Sequence, residues 1–296
     1  LHKGSKLSFG GSSKSYKTWA LDALALGVAY EIPWLGYETR RSRVLLIDLE
    51  LQEPFCRRRL ITLQRAMQID DAPSRLDVWS LRGFAASHDE LLPRIEERIE
   101  NGDYGLIVVD PIYKLYSTGT SENDAADVAM LMNGLERVAV TTGAAIAFAS
   151  HYSKGNQAGK ESIDRVSGSG VFARDPDSLL SLTAHQEPGC FTLEATLRNF
   201  PPIVPAVLRW KFPLFERDPS LDPTALKKRS GRPAVHSADT VLAKLEDGMT
   251  STKWQTATGI RNGPTFRALR EKLSKDGRVR KNGGKWERVP NVPNGT

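Results

Sequence analysis

Eight consecutive residues carry the clearest chemistry in this chain: Gly11-Ser12-Ser13-Lys14-Ser15-Tyr16-Lys17-Thr18. They lie between a short strand segment that ends in glycines, Lys6–Gly10, and a long apolar helix segment, Trp19–Tyr30. Backbone N–H groups at such a helix start face outward, and the peptide dipoles favour an anion there. The stretch matches the phosphate-loop pattern G-x-x-x-x-G-K-[ST] at every fixed position except the second glycine, where Tyr16 stands. In that pattern Lys17 reaches the β- and γ-phosphates and the Thr18 hydroxyl binds Mg²⁺. The plainer alternative is a polar, lysine-rich loop that caps a helix.

Two acids complete the chemistry that a triphosphate would need. Asp110 ends the apolar run Leu106–Val109, about 90 residues downstream, where a carboxylate can hold the water shell of Mg²⁺. Pro111 rather than glutamate follows it, so an acid that activates water must come from another strand. Glu50 directly follows the strand segment Arg43–Leu49 and can take a proton from attacking water. Asp48 is a weaker competitor, because it sits inside that strand, further from the crevice at the strand ends. Glu53 precedes the next helix and reads as a helix-start acid.

The elements that must position these groups alternate. Apolar strand segments Arg43–Leu49, Val78–Leu81, Gly105–Asp110 and Ala144–Ser150 are separated by helical patterns at Pro54–Met67, Glu90–Asn101 and Asp124–Thr141. Arg57, Arg58 and Arg59 are expected on the solvent side of the first of these helices. Buried strands alternating with helices predict an α/β fold, a mainly parallel sheet covered on both faces. From Leu179 onward the runs Leu179–Thr183, Phe191–Arg198 and Val207–Phe212 read as antiparallel additions at one edge. Residues 218–233 carry three prolines and a basic cluster, the composition of a linker. Beyond it, helices at Ala238–Asp247, Ser251–Ala257 and Thr265–Asp276 precede a hairpin signal at Asn282-Gly283-Gly284. That order suggests a small winged helix-turn-helix domain, and the expected division is 1–217, 218–233 and 234–296.

In their order along the chain, Gly11–Thr18, Leu49-Glu50, Leu106–Asp110 and Ser150-His151 resemble the RecA/DnaB superfamily of P-loop ATPases. Within it the chain is most similar to the plasmid and mobile-element RepA-type hexameric helicases, over about residues 4–215. The resemblance implies a RecA-like core that binds ATP and Mg²⁺, assembles into a homo-oligomeric ring, a hexamer, and hydrolyses ATP between subunits while moving on single-stranded DNA. It places His151 at the γ-phosphate sensor. It makes Lys154, just before the Gly- and Ser-rich segment 155–170, and Lys160 and Arg165 within it, contacts to DNA in the ring channel. It makes Arg198 the finger that reaches a neighbour's γ-phosphate, a role that suits a planar, permanent cation. Thr196 stands where the family has a lysine.

Charge is unevenly spread. Residues 225–296 hold 16 Lys/Arg against 6 Asp/Glu, a net of +10, whereas the rest, with 25 basic and 29 acidic residues, stands at −4. A basic tail beside a near-neutral body points to a polyanion near the C-terminus. Arg267 and Arg270, with Lys275, are expected on exposed flanks of a recognition helix whose inner stripe is Phe266, Leu269 and Leu273. Arg280 and Lys281, with Arg278 and Lys285, would touch phosphates from the wing, so duplex DNA is a second expected partner. The 296 residues suffice for two domains, and a composition that is 40% hydrophobic and 26% charged excludes wholesale disorder. No run approaches a membrane span. A first residue of Leu reads as the edge of a fragment rather than a signal peptide, and Cys56 and Cys190 suit a reducing cytoplasm. The leading expectation is a DNA-dependent ATPase motor. A nucleotide-switched DNA-binding regulator and a P-loop protein used only for assembly remain alternatives.

Overall fold

The computed structural model describes residues 1–70, 75–84, 87–100, 104–115, 125–152, 171–227 and 236–289. They fall into two units, Leu1–Arg229 and Ser230–Thr296. The first runs β1 (Lys6–Gly11), α1 (Lys17–Tyr30), β2 (Arg43–Asp48), α2 (Glu53–Ala66), β3 (Leu76–Ser80), α3 (His88–Glu100), β4 (Tyr104–Asp110), α4 (Ala125–Thr142) and β5 (Ala145–His151). A single helical turn, α5 (Val171–Arg174), leads into β6 (Ser178–Ala184), β7 (Cys190–Leu197), β8 (Ala206–Lys211) and β9 (Leu214–Arg217).

These nine strands form one sheet in the order β3-β2-β4-β5-β1-β6-β7-β8-β9. Every pairing from β3 to β6 is parallel, and β7, β8 and β9 add antiparallel. The antiparallel edge therefore begins one strand later than expected: β6 runs parallel to β1, from Leu7 opposite Ser178 to Gly11 opposite Leu182. The long connection from β5 to β6 lets the chain cross over and enter in the same direction. Only the short turn after β6 forces a reversal.

Period-two alternation builds a core on each face. On β2, Val44 and Leu46 pack with α1 and α2, while Leu45 and Ile47 pack with α3 and α4. On β4, Leu106 and Val108 take the first face, and Ile107 and Val109 the second. Helix α1 buries Ala20, Leu21, Leu24, Ala25 and Leu26, as a helix apolar on most faces must. Cys56 and Cys190 are buried and free. No described helix is long and apolar enough to cross a membrane.

The expected linker is, in its first part, a strap on the sheet. The Gln186 N–H donates to the Ala225 carbonyl (2.9 Å), the Lys227 N–H to Ala184 (2.8 Å), and the Thr192 hydroxyl to Pro223 (2.9 Å). Residues 228–235 lie outside the described residues.

The second unit contains α6 (Ala238–Ala243), α7 (Ser251–Thr258), α8 (Gly263–Lys275) and the antiparallel pair β10 (Val279–Asn282) and β11 (Lys285–Arg288). Each helix starts on a polar cap: the side chains of Ser237, Thr250 and Asn262 accept from the N–H groups of Thr240, Lys253 and Thr265. Such caps are worth about 1 kcal/mol each. The core gathers around Trp254, with Val241, Phe266, Leu273, Val279 and Trp286, and the Trp254 indole donates to the Val241 carbonyl at 2.8 Å.

Candidate active site

Parallel pairing aligns the carboxyl ends of the strands, which is where ligands bind in such sheets. Gly11 is opposite His151 across β1 and β5, and Asp48 is opposite Asp110 across β2 and β4. The expected phosphate loop, strand-end acids and sensor therefore share one edge.

Helix α1 begins at Lys17 with no acid in its first turn. Lys17 is buried, and its ammonium donates to the carbonyls of Gly11 and Ser12, both at 2.9 Å. The Ser15 hydroxyl closes the loop by donating to the Ser12 carbonyl at 2.7 Å. Gly11 has no room for a side chain: a Cβ there would come within 2.7 Å of Ser15 Oγ and 3.1 Å of Lys17 Cδ.

Tyr16 takes a left-handed backbone, a conformation that glycine adopts most freely, with φ 60° and ψ 24°. That left-handed turn costs a side-chain-bearing residue roughly 1–2 kcal/mol. The ring, 37% exposed, points to the antiparallel edge, where it stacks on Trp210 at 4.2 Å and 7°. It also meets Phe191 and Phe215 edge-on at 6.0 and 6.3 Å. Aromatic pairs contribute about 0.5–1.5 kcal/mol each, enough to offset the strain.

Thr18 hydrogen-bonds the buried Asp110 carboxyl, which burial pushes up to about 6 against the opposing pull of Thr18; Asp48 raises it further, Lys17 lowers it and Glu50 raises it. Burial brings the Lys17 ammonium down to about 8, while Asp110 and Glu50 hold it from falling further. Hard oxygen donors carrying an excess of negative charge suit Mg²⁺, so Thr18 and Asp110 fit that ion. Asp48 is the last residue of β2 rather than an interior one. It is buried, and its carboxylate accepts from the N–H groups of Glu50 (2.8 Å) and Leu51 (2.7 Å). Asp48 is thereby committed to the turn that holds Glu50. Glu50 is exposed on a cavity of about 820 Å³ that Thr18, Asp48, Arg59, Asp110 and Lys114 also line.

The exposed His151 ring sits 5.8 Å from that of Tyr113. Lys154, Lys160 and Arg165 lie outside the described residues. Arg198 is at the other end of the sheet. It follows Leu197, which pairs with Ser178, whereas Gly11 pairs with Leu182, so about 13 Å of strand separates the two levels. Its guanidinium donates to the carbonyls of Arg174 (2.6 Å) and Asp175 (3.1 Å) at the end of α5. In the second unit Arg267, Arg280 and Lys281 are exposed, and Arg280 pairs with Glu287 at 3.1 Å. Arg270 is not an exposed flank: its guanidinium lies 5.0 Å from the Trp286 ring and donates to Ser251 Oγ at 2.9 Å.

Two groups were not anticipated, Arg59 at the cavity and Asp22 beside it. Arg59 does not face solvent with Arg57 and Arg58. Its side chain is 17% exposed, lies 4.8 Å over the Trp19 ring and approaches the Asp22 carboxylate at 3.5 Å. The signal was present: with Cys56, Leu60 and Leu63 buried, Arg59 falls at i+3 on the same face. Asp22 is the one acid in α1. Burial pushes it up to about 8, Arg59 draws it down, and the charges of Asp110 and Asp48 raise it further.

A phosphate-loop strand between β5 and β6, acids at the ends of β2 and β4, and helices on both faces define a RecA-like P-loop ATPase core. The chain belongs to the AAA domain family, whose pattern matches residues 1–157. Many solved structures share the fold. One is the ATPase domain of another protein, 12% identical with a TM-score of 0.53, a match covering 71% of this chain and 82% of that one. No curated protein matches the sequence.

Proposed function

We propose that this protein is an ATP-hydrolysing, DNA-dependent motor, a RepA-like helicase ATPase of plasmid or mobile-element replication. The observation that carries the reading is the convergence of Lys17, Thr18, Asp110 and Glu50 on one edge of the sheet. Lys17 and the free N–H groups at the start of α1 bind the β- and γ-phosphates, with Gly11 to Tyr16 wrapping the triphosphate. Thr18 and Asp110 would hold Mg²⁺, which would supply positive charge against the charge that develops on the phosphates. Glu50 takes the proton as water attacks the γ-phosphorus and the bond to the β,γ-bridging oxygen breaks. His151, beside the loop, responds to the γ-phosphate. Arg198 is too far from its own loop to serve it, which supports a finger directed at a neighbour in a homo-hexameric ring.

The second unit, with three capped helices and a hairpin, supports a winged helix-turn-helix reading. Arg267, Arg280 and Lys281 offer exposed cations to duplex phosphates, and Arg270 braces the fold. Lys154, Lys160 and Arg165 remain the proposed contacts to single-stranded DNA. Magnesium-dependent ATP hydrolysis stimulated by single-stranded DNA is the expected result. Lys17→Ala and Glu50→Gln should each lower kcat by about 10²–10⁴-fold. A Glu50→Gln variant that turns over at the normal rate removes Glu50 from the mechanism.

A further inference from the structure

Soon after Arg198 the chain carries an apolar loop between β7 and β8, Phe200-Pro201-Pro202-Ile203-Val204-Pro205. Val204, 85% exposed, is the most open large apolar side chain among the described residues, and Phe200 is exposed beside the His2 ring, 5.9 Å away. Residues 201–205 form neither helix nor strand. Each proline fixes its own φ near about −65° and keeps the residue before it extended, so this loop is stiff and has little freedom left to lose on binding. Pro202 and Pro205 have the P-x-x-P spacing of a polyproline ridge, a shape that docks in grooves lined by aromatic rings.

Such a groove exists on the same chain. Trp19, Trp34, Leu35, Met67, Trp210 and Phe215 line a cavity of about 160 Å³. The Trp34 indole N–H is satisfied by the Ala20 carbonyl at 2.7 Å, so it asks nothing polar of an occupant. The volume is below the about 300 Å³ at which small-molecule pockets begin and suits a few apolar side chains instead. Within one chain loop and groove are apart: the loop enters β8 at Ala206, and Trp210 stands about 13 Å further along that strand. Each adjoins one half of the proposed site between subunits. The loop follows Arg198, and the groove shares Trp210 and Phe215 with the Tyr16 ring of the phosphate loop. A copy whose Arg198 reaches its neighbour's nucleotide carries the loop towards its neighbour's groove.

We propose that the loop 200–205 of one copy docks in the aromatic groove of the next, with Val204 and the prolines beside it filling the cavity. This rests on the reading of Arg198 as a finger between subunits, and the test separates the two. The Val204→benzoylphenylalanine chain, mixed with isotope-labelled wild-type chain, is assembled with Mg²⁺, a non-hydrolysable ATP analogue and a single-stranded oligonucleotide, then irradiated. Mass spectrometry should find cross-links from one chain to residues 32–35 or 210–215 of the other. Val204→Asp, an exposed change that leaves the melting temperature of the dilute chain as it was, should raise the dissociation constant of assembly about 10- to 100-fold, what one buried valine is worth. Assembly without cross-links between chains, cross-links to other surfaces, or a Val204→Asp chain that assembles as the wild type does overturns the docking and leaves the reading of Arg198 standing. A wild-type chain that stays monomeric under these conditions overturns both.

Discussion

Tyr16 holds a left-handed backbone with its ring packed on Trp210, Phe191 and Phe215, all from strands far along the chain. A similar dependence on surroundings sets the charge states. Before nucleotide binds, Lys17 loses its proton above about pH 8, since burial has lowered it from 10.5. Asp110 gains one below about pH 6, since burial has raised it from 3.8. The first change removes the cation that phosphate needs, and the second removes the anion that Mg²⁺ needs. Affinity for Mg-ATP should therefore be greatest between about pH 6 and 8 and fall by up to tenfold per pH unit outside that window. Calorimetry in buffers of different ionisation enthalpy would check it. Above pH 8 binding should take up a proton, because the phosphates restore the charge on Lys17; affinity that stays flat from pH 7 to 10 contradicts this assignment.

At the scale of elements, the strands were legible because parallel buried strands are nearly continuous apolar runs. Their direction was not. β6 looks like its antiparallel neighbours in composition, and only its crossover makes it parallel. Arg59 was obscured in a different way: a run of three arginines reads as a polar face, although the helical period places one of the three inward. Among the described residues of the second unit, eight buried apolar side chains form the core, with Trp254 at its centre. Trp254→Ala should cost about 3–5 kcal/mol, more than so small a core can spare. Duplex DNA affinity, read by fluorescence anisotropy, should collapse, while ATP hydrolysis without DNA persists. Duplex binding at wild-type strength would show that this unit is not the DNA-binding one.

For the molecule as a whole, Arg198 and the phosphate loop lie at opposite ends of the sheet, so under the proposed mechanism a complete catalytic set would be drawn from two copies. Lys17→Ala and Arg198→Ala should each be inactive alone. Mixed together they should regain a measurable fraction of activity, because some interfaces pair an intact loop with an intact arginine. No recovery in a mixture shown by mass to contain both chains would return Arg198 to the role it has within one chain, bonding the carbonyls at the end of α5.

The amino-acid sequence alone determined the alternation of strands and helices, the position of the phosphate loop and the acids at two strand ends. These depend on local propensity, period and spacing, which neighbouring residues express by themselves. Tertiary structure decided what depends on residues distant in the chain. It made β6 parallel, seated Tyr16 on Trp210, committed Asp48 to a turn, brought Arg59 to the cavity and set Asp22 beside it. Each of these is a matter of burial and of charge felt across space, and neither quantity exists until the sheet has closed over its helices.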